Sequence, residues 1–486
     1  MMPFLVHTLG DEQYGIWILV GSIIAFYEIM DLGLSNAMQR FLIRAMHGKE
    51  REESNISLSN AIALTTGIAL IFMLITSVII YFAPAFTDSK SNATTFQATI
   101  AILGARAALE FPLFPYYGVL IAHYRQDIIG YIQLSSLYTR TALIIFFVSN
   151  GYGIITIAII TTLTQLASSL LIVVYAKKLS PEIGFSFKHL KLEKFSEYYH
   201  YGKYVFAIKF ADKVKVSLDN SVIAAFVGLS AVTHYTIAVT LVQYFGSLIG
   251  SIFGVISPAL HKYHKLNQWD NLREVFLVTT EVTTLTSILV GGTLLTLGDQ
   301  FILLWLGEGY DDAYIALVIL CLAAIIINTQ QPIELVLYAI AKHKYLAIIT
   351  SIEAIANLVL SIVLAQYIGI YGVALGTTIP ALFNTLILRP RYTCKQLSIP
   401  ARAYYNILGK GIVLGLLIFI PGYFIAHMIE INNWITFILF GAILSASYAL
   451  CYARLVMNQK TACYVIATVP QRLAPFVKFF TGAQKA

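Results

Sequence analysis

The chain has 486 residues, of which 58% are hydrophobic and only 12% charged, with a mean hydropathy of +0.76. This balance excludes an ordinary soluble globular protein and implies a polytopic membrane protein. The net charge of +7 sits in loops rather than in any nucleic-acid motif, and the four cysteines have neither metal-site spacing nor the pattern of a disulfide framework.

In chain order, Met1 to Glu12 is too short and polar to span a bilayer and reads as the outer end of a preceding helix. Apolar runs then predict thirteen spans, near 14–38, 58–84, 96–122, 128–149, 153–176, 204–227, 231–258, 275–297, 313–340, 345–367, 371–388, 408–427 and 433–453. The connections alternate in charge. Arg40, Arg44, Lys49 and Arg51 follow the first span, Arg125 the third, and Lys177 to Lys203 the fifth. Lys262, Lys265 and Arg273, then Lys342 and Lys344, then Arg389, Arg391, Lys395 and Arg402, and finally the tail from Arg454 continue the series. The loops between these carry only Lys90. By the positive-inside rule the basic set and the C-terminus are cytoplasmic. Thirteen spans would leave Met1 outside, so a further helix before Met1 is expected, giving fourteen. The basic stretch from Lys177 to Lys203 is expected to rest on the inner headgroups, with its tyrosines as interfacial anchors.

The chain also repeats itself. Gly228 follows Gly10 by 218 residues, Pro332 follows Pro112 by 220, and Gly372 follows Gly153 by 219. The three pairs mark an outer turn, a proline-broken helix and a glycine-rich hairpin. A shared offset predicts two six-helix lobes related as parallel repeats, the first incomplete, plus two C-terminal helices. The expected divisions are 1–200, 201–397, 398–456 for the two additional helices, and a cytoplasmic tail at 457–486.

Within this apolar chain the charges inside spans carry the functional information. The segment Tyr204 to Val227 holds Lys209, Asp212, Lys213, Lys215 and Asp219. Each charge near the bilayer centre costs about 2.5–3.5 kcal/mol, while each large aliphatic or phenyl side chain returns only about 0.3–0.6 kcal/mol. The segment must therefore turn a charged face to water or protein, and a helical wheel groups Lys209, Asp212, Lys213, Asp219 and Asn220. Structural ion pairs one turn apart are the alternative to a polar pathway. Glu28, Asp31, Arg106, Glu110, Arg140, Glu281, Glu334 and Glu353 are also embedded. Arg106 and Glu110 have the i,i+4 spacing of a mutual pair, Arg140 has no partner within a turn, and Glu334 follows the helix-breaking Pro332. No phosphate-binding glycine loop, zinc-type spacing or Ser/His/Asp arrangement indicates an enzyme.

The run PFLVHTLGDEQYGIWILV leading into DLGLSNAMQRFLIRA contains Pro3, Leu9, Gly10, Tyr14, Gly15, Trp17, Asp31, Gly33 and Arg40. With SLDNSVIAAFVGLSAVTHYTIA at the second lobe and GIYGVALGTTI near Gly372, it resembles the Wzx-type polysaccharide flippases of the multidrug/oligosaccharidyl-lipid/polysaccharide exporter superfamily. The resemblance runs over essentially the whole chain and implies an all-α transporter that moves undecaprenyl-pyrophosphate-linked oligosaccharide, such as an O-antigen repeat unit, across a bacterial inner membrane. On that reading Arg106, Arg140, Lys209, Lys213 and Lys215 bind pyrophosphate or acidic sugars. Asp31, Asp219 and Glu334 couple transport to a proton or sodium gradient, with no other cofactor and no metal. Partners would be membrane lipids, the lipid-linked oligosaccharide and other polysaccharide-assembly proteins. A drug or organic-cation antiporter of the same superfamily, and a polytopic sugar polymerase or ligase, are the alternatives.

Overall fold

The computed structural model describes residues 1–27, 51–83, 90–191, 218–253, 256–340, 342–429 and 431–462. Among them every regular element is helical. The chain divides into two compact units, Met1–Thr233 and His234–Ala486.

In the first unit the helices are α1 (Met2–Leu9), α2 (Asp11–Tyr27), α3 (Arg51–Phe82), α4 (Lys90–Glu110), α5 (Pro115–Ala122), α6 (Gln126–Ser149) and α7 (Ile154–Leu179). Gly10, at φ 79°, makes the turn between α1 and α2 in a conformation that side-chain-bearing residues rarely adopt. α4 ends at Glu110 because Pro112 lacks an N–H and clashes with the preceding turn; a 3₁₀ turn, Phe111–Leu113, follows, and Pro115 restarts the chain as α5 at 43°. α4 packs between α3 and α7, with α2 alongside it. Gly104 permits that approach, since a Cβ there would lie 2.4 Å from Thr76 Oγ1. Leu58, Tyr116, Tyr117, Leu120, Ile132, Ile172 and Ala176 form one apolar core beneath the bend.

The segment after α7 is tied back to the start of α3 by side chains that imitate backbone. Asn55 Oδ1 accepts from Gly184 N at 2.8 Å, and Ser59 Oγ accepts from Ser186 N at 3.0 Å. Asn60 donates to His189 O at 2.9 Å and accepts from Lys191 N at 3.0 Å. The part of the basic stretch from Ser180 to Lys191 is therefore fastened to a helix, while Phe187 remains 80% exposed. Residues 192–203 of that stretch lie outside the described residues.

α8 (Leu229–Phe253) begins after Gly228, whose φ is 124°, and carries the chain into the second unit. There follow α9 (Ser257–Lys265), α10 (Trp269–Leu306), α11 (Asp311–Asn328), α12 (Gln331–Ala339), α13 (His343–Phe383), α14 (Arg389–Leu397), α15 (Ala401–Met428) and α16 (Trp434–Leu455). α10 is the centre, packed by α11, α15 and α16. A Cβ on Gly291 would meet Ile325 at 2.2 Å and one on Gly411 would meet Thr284 at 2.7 Å, so small residues set the helix spacing, as membrane helices require. The buried hydroxyls of Thr279, Thr280 and Thr283 donate to the carbonyls four residues earlier, which satisfies those three groups within their own helix. α13 contains a break at Ile368 and Gly369, the latter at φ 57°, which separates the predicted spans 345–367 and 371–388. A five-residue π-helical stretch, Asn384–Leu388, joins it to α14.

By length and composition eight helices among the described residues can cross a membrane, or nine if the bent pair α4 and α5 is one span. Their outer faces are apolar where a soluble protein would be polar: Tyr138, Leu417 and Ile435 are 71%, 68% and 73% exposed, as a lipid solvent favours. The protein is a multi-pass, all-α membrane protein. Most of the predicted span 204–227 and the second half of 14–38 lie outside the described residues.

Candidate functional site

The first unit contains a cleft of about 270 Å³ at the α4 break. It is lined by α2 (Ile24, Tyr27), α3 (Phe72), α4 (Arg106, Ala107, Glu110), the 3₁₀ turn and α5 (Phe111, Phe114, Tyr117), α6 (Gln133) and α7 (Gln165). Its aromatic side chains form a chain of ring contacts: Tyr27 stacks on Phe72 at 4.7 Å, Phe72 meets Phe111 edge-on at 5.0 Å, Phe111 and Phe114 are 6.4 Å apart, and Phe114 stacks on Tyr117 at 5.2 Å. Tyr27 is held by a 2.7 Å hydrogen bond to Thr76. The proline-induced bend is what brings Phe111, Phe114 and Tyr117 to the same wall, because a straight helix would have carried them around its axis.

Arg106 and Glu110 supply the only charges among the lining residues of this cleft. Their i,i+4 spacing puts them together, but the closest approach is a long 3.8 Å, with 19% and 21% of the side chains exposed. Glu110 is held elsewhere: its Oε1 accepts from Gln165 Nε2 and from Ser169 Oγ, both at 3.0 Å. Arg106 Nε is buried and has no hydrogen-bond partner. A guanidinium has five N–H donors, so Arg106 retains unused capacity in the wall of a partly enclosed, aromatic-lined space. Such a site can hold a ligand that offers both an anionic oxygen and an apolar face.

Arg140 lies two turns beyond Gln133 on α6 and, among the described residues, makes no ion pair or hydrogen bond. Asp219 is buried, and the adjacent Asn220 donates to Ser22 of α2 at 2.8 Å. Asp31, Lys209, Lys213 and Lys215 lie outside the described residues.

In the second unit Glu334 is joined to Arg389 at 2.5 Å. Arg389 also approaches Glu353 at 3.7 Å and donates to Thr350 at 3.3 Å, and Asn384 donates to the same Glu353 carboxylate. Glu353 and Arg389 are 2% and 6% exposed. The sequence reading counted Arg389 as a loop cation. It is instead buried, because two carboxylates on other helices, 55 and 36 residues earlier, compensate it. Glu281, also embedded, accepts from the backbone N–H of Asn458 at 3.2 Å and from its side-chain amide. The residues that sequence reasoning missed are the uncharged lining ones, such as Tyr27, Phe72, Gln133 and Gln165, and Ser169, which holds Glu110. No local pattern marks an aromatic or amide in an apolar span as a site residue.

Residues 4–315 match the model of the polysaccharide biosynthesis protein family (Polysacc_synt_3). The membrane protein EpsK of Bacillus subtilis (strain 168) is 22% identical over 95% of this chain and 92% of its own length. A Shigella flexneri protein named as an O-antigen transporter is 20% identical over 81% of this chain and 92% of its own. Among solved structures, an inward-facing multidrug resistance MATE transporter of the MOP superfamily matches with a TM-score of 0.70 at 14% identity, covering 82% of this chain and 93% of that one. The lipid II flippase MurJ in an inward closed conformation matches with a TM-score of 0.67 at 17% identity, covering 93% and 95%. These likenesses identify the fold as that of MATE and MurJ transporters, and the sequence match, which takes in both α4 and the cleft, shows that the chain belongs to the polysaccharide biosynthesis protein family.

Proposed function

We propose that the protein flips an undecaprenyl-pyrophosphate-linked oligosaccharide from the inner to the outer leaflet of a bacterial inner membrane, for surface polysaccharide assembly. No bond is made or broken, so the protein acts as a transporter and not as an enzyme. The observation that carries this reading is a guanidinium with unused donors in an aromatic cleft between membrane-crossing helices, in a chain of the polysaccharide biosynthesis family. A diphosphate cannot enter hydrocarbon unaided, and cations inside the protein must replace its hydration.

On this reading Arg106, Arg140, Lys209, Lys213 and Lys215 hold the pyrophosphate or acidic sugars. Asp31, Asp219 and Glu334 couple the cycle to a proton or sodium gradient. The two repeats, 1–200 and 201–397, rock to give alternating access, and the C-terminal tail lies in the cytoplasm. An apolar groove of about 360 Å³ on the second unit, walled by Leu241, Tyr244, Phe245, Leu289, Phe301 and Phe437, suits the prenyl chain.

Complementation tests the reading. In a strain lacking its polysaccharide flippase, the parent chain should restore surface polymer. The Arg140→Ala, Lys213→Ala double variant, at equal membrane level, should lose most of it, about tenfold or more, as expected when charge-assisted contacts to an anion are removed. Equal export by the double variant would remove these cations from the substrate path.

A further inference from the structure

We infer that Asp299 of α10 and His427 of α15 share one bound proton and form a pH-sensitive latch, which fastens the turn between α15 and α16 to α10.

His427 Nδ1 lies 2.9 Å from the carbonyl oxygen of Tyr423, one turn earlier in α15, and His427 Nε2 lies 2.7 Å from Asp299 Oδ2. A carbonyl only accepts, so Nδ1 carries a hydrogen. A neutral imidazole then has a bare lone pair at Nε2, and this faces a carboxylate oxygen that is also an acceptor. Two acceptors repel at 2.7 Å, so a proton lies between them. It sits on the ring or on the carboxyl group, and the pair carries the same single proton in either case. Loss of that proton leaves one N–H for two acceptors, and either Tyr423 O or Asp299 loses its hydrogen bond. Closing the latch thus takes up a proton, and rising pH favours the open form. Histidine is the side chain that ordinarily changes charge between about pH 5 and 8.

The surroundings make Asp299 depend on His427. Both side chains are partly exposed, so protons reach them, yet Asp299 Oδ1 is buried and without a hydrogen-bond partner. α11 brings Tyr314 towards Asp299, and α15 brings Tyr423, whose ring centre is 4.2 Å from that of His427. Asp299 also lines a cleft of about 330 Å³ with Tyr310, Glu308 and Asp311, and His234 of α8 lies against Tyr310 at 5.2 Å. α16 carries no charged residue before Arg454, at its far end. Among the described residues, His427 is therefore the ion-pair partner of Asp299, and further acids stand nearby. A partly buried carboxylate in such company is costly to leave charged without its imidazolium. His427 also lies in the last turn of α15, where the helix carbonyls favour a positive charge.

The latch acts on an apolar contact. Ala426 and Ile431, on either side of His427, pack with Leu297, and Phe437 and Phe440 lie against them. Phe301 meets Trp434 at 5.8 Å and Phe437 at 5.9 Å. Leu297, Phe301 and Phe437 also wall the apolar groove of the second unit, so the latch sets how firmly one end of that groove is closed. On the loop-charge reading this is the outer end, facing the external pH.

The test is hydrogen exchange of the α15–α16 turn in the purified full chain in lipid nanodiscs, between about pH 6 and about pH 8.5 and corrected for the chemical dependence of exchange on pH. Protection of the turn in the parent should fall by about tenfold at the higher pH, the effect of losing one charge-assisted hydrogen bond. His427→Ala should show the low protection at both pH values. Asp299→Asn supplies its own N–H to the neutral imidazole, so it should keep the turn protected at the higher pH, a gain that misfolding cannot produce. His264→Gln, which alters a histidine against Trp269 at the opposite end of α10, should retain the parent's pH profile. Equal protection of the parent turn at both pH values, or an Asp299→Asn variant that loses protection as the parent does, would overturn the latch.

Discussion

A charge inside a membrane helix persists only where something compensates it, and the two charged clusters here do so differently. Arg106 and Glu110 share a loose contact that leaves donors unused, which suits exchange with a ligand. Arg389 is closed in by Glu334, Glu353 and Thr350, which suits a fixed structural role for that guanidinium. Arg389→Met should therefore destabilise the protein by about 3–5 kcal/mol, because it removes the buried guanidinium that faces both Glu334 and the 2%-exposed Glu353. Glu334→Gln should cost much less, since Glu334 is 38% exposed and its amide replacement still accepts from Arg389. Thermal unfolding of the purified variants separates the two, and equal losses would contradict this division of roles. The i,i+4 pair was legible from spacing alone. The Arg389 cluster was not, because its members are brought together by tertiary packing across 55 and 36 residues, and a lone arginine near a helix end reads as a loop cation.

Elements were legible where the backbone itself carries the signal. Pro112 marks a real break, and the bend it causes assembles three aromatic side chains of the cleft wall. The hairpin repeat also holds, although the glycines that take positive φ are Gly151 and Gly369, 218 residues apart like Gly10 and Gly228, and not the neighbouring Gly153 and Gly372. Motif letters alone do not reveal which glycine of a cluster makes the turn. The basic stretch after α7 was read as a headgroup contact, yet Ser180 to Lys191 is also bound to α3 through Asn55, Ser59 and Asn60, of which Ser59 and Asn60 are fully buried and need partners. Asn60→Ala should leave the His189 carbonyl and the Lys191 N–H unpaired, at a cost of about 1–3 kcal/mol. Limited proteolysis should then cut between Ser180 and Lys191 several times faster than in the parent. Unchanged cleavage would show that these bonds do not hold the segment.

At the scale of the molecule, apolar faces turned outward, polar hydroxyls folded back onto their own helices and small residues between packed helices all answer to a lipid solvent. Hydropathy and loop charge conveyed that class directly. The cleft at the α4 break was harder to see, because its aromatic and amide residues come from six separate elements and only Arg106 and Glu110 stand out in the sequence. The fold is shared with structures described as a multidrug resistance transporter and as a lipid II flippase, and a shared fold does not fix the cargo, so cargo must be measured. The direct measurement is leaflet exchange in proteoliposomes containing the purified chain and a fluorescent polyprenyl-pyrophosphate-linked oligosaccharide with an acidic sugar. The account predicts rapid loss of inner-leaflet probe with the parent, and a rate about tenfold or more lower with Arg106→Gln, Arg140→Gln at equal reconstitution. No exchange of the probe by a folded parent chain that instead moves an organic cation down an imposed proton gradient would contradict it.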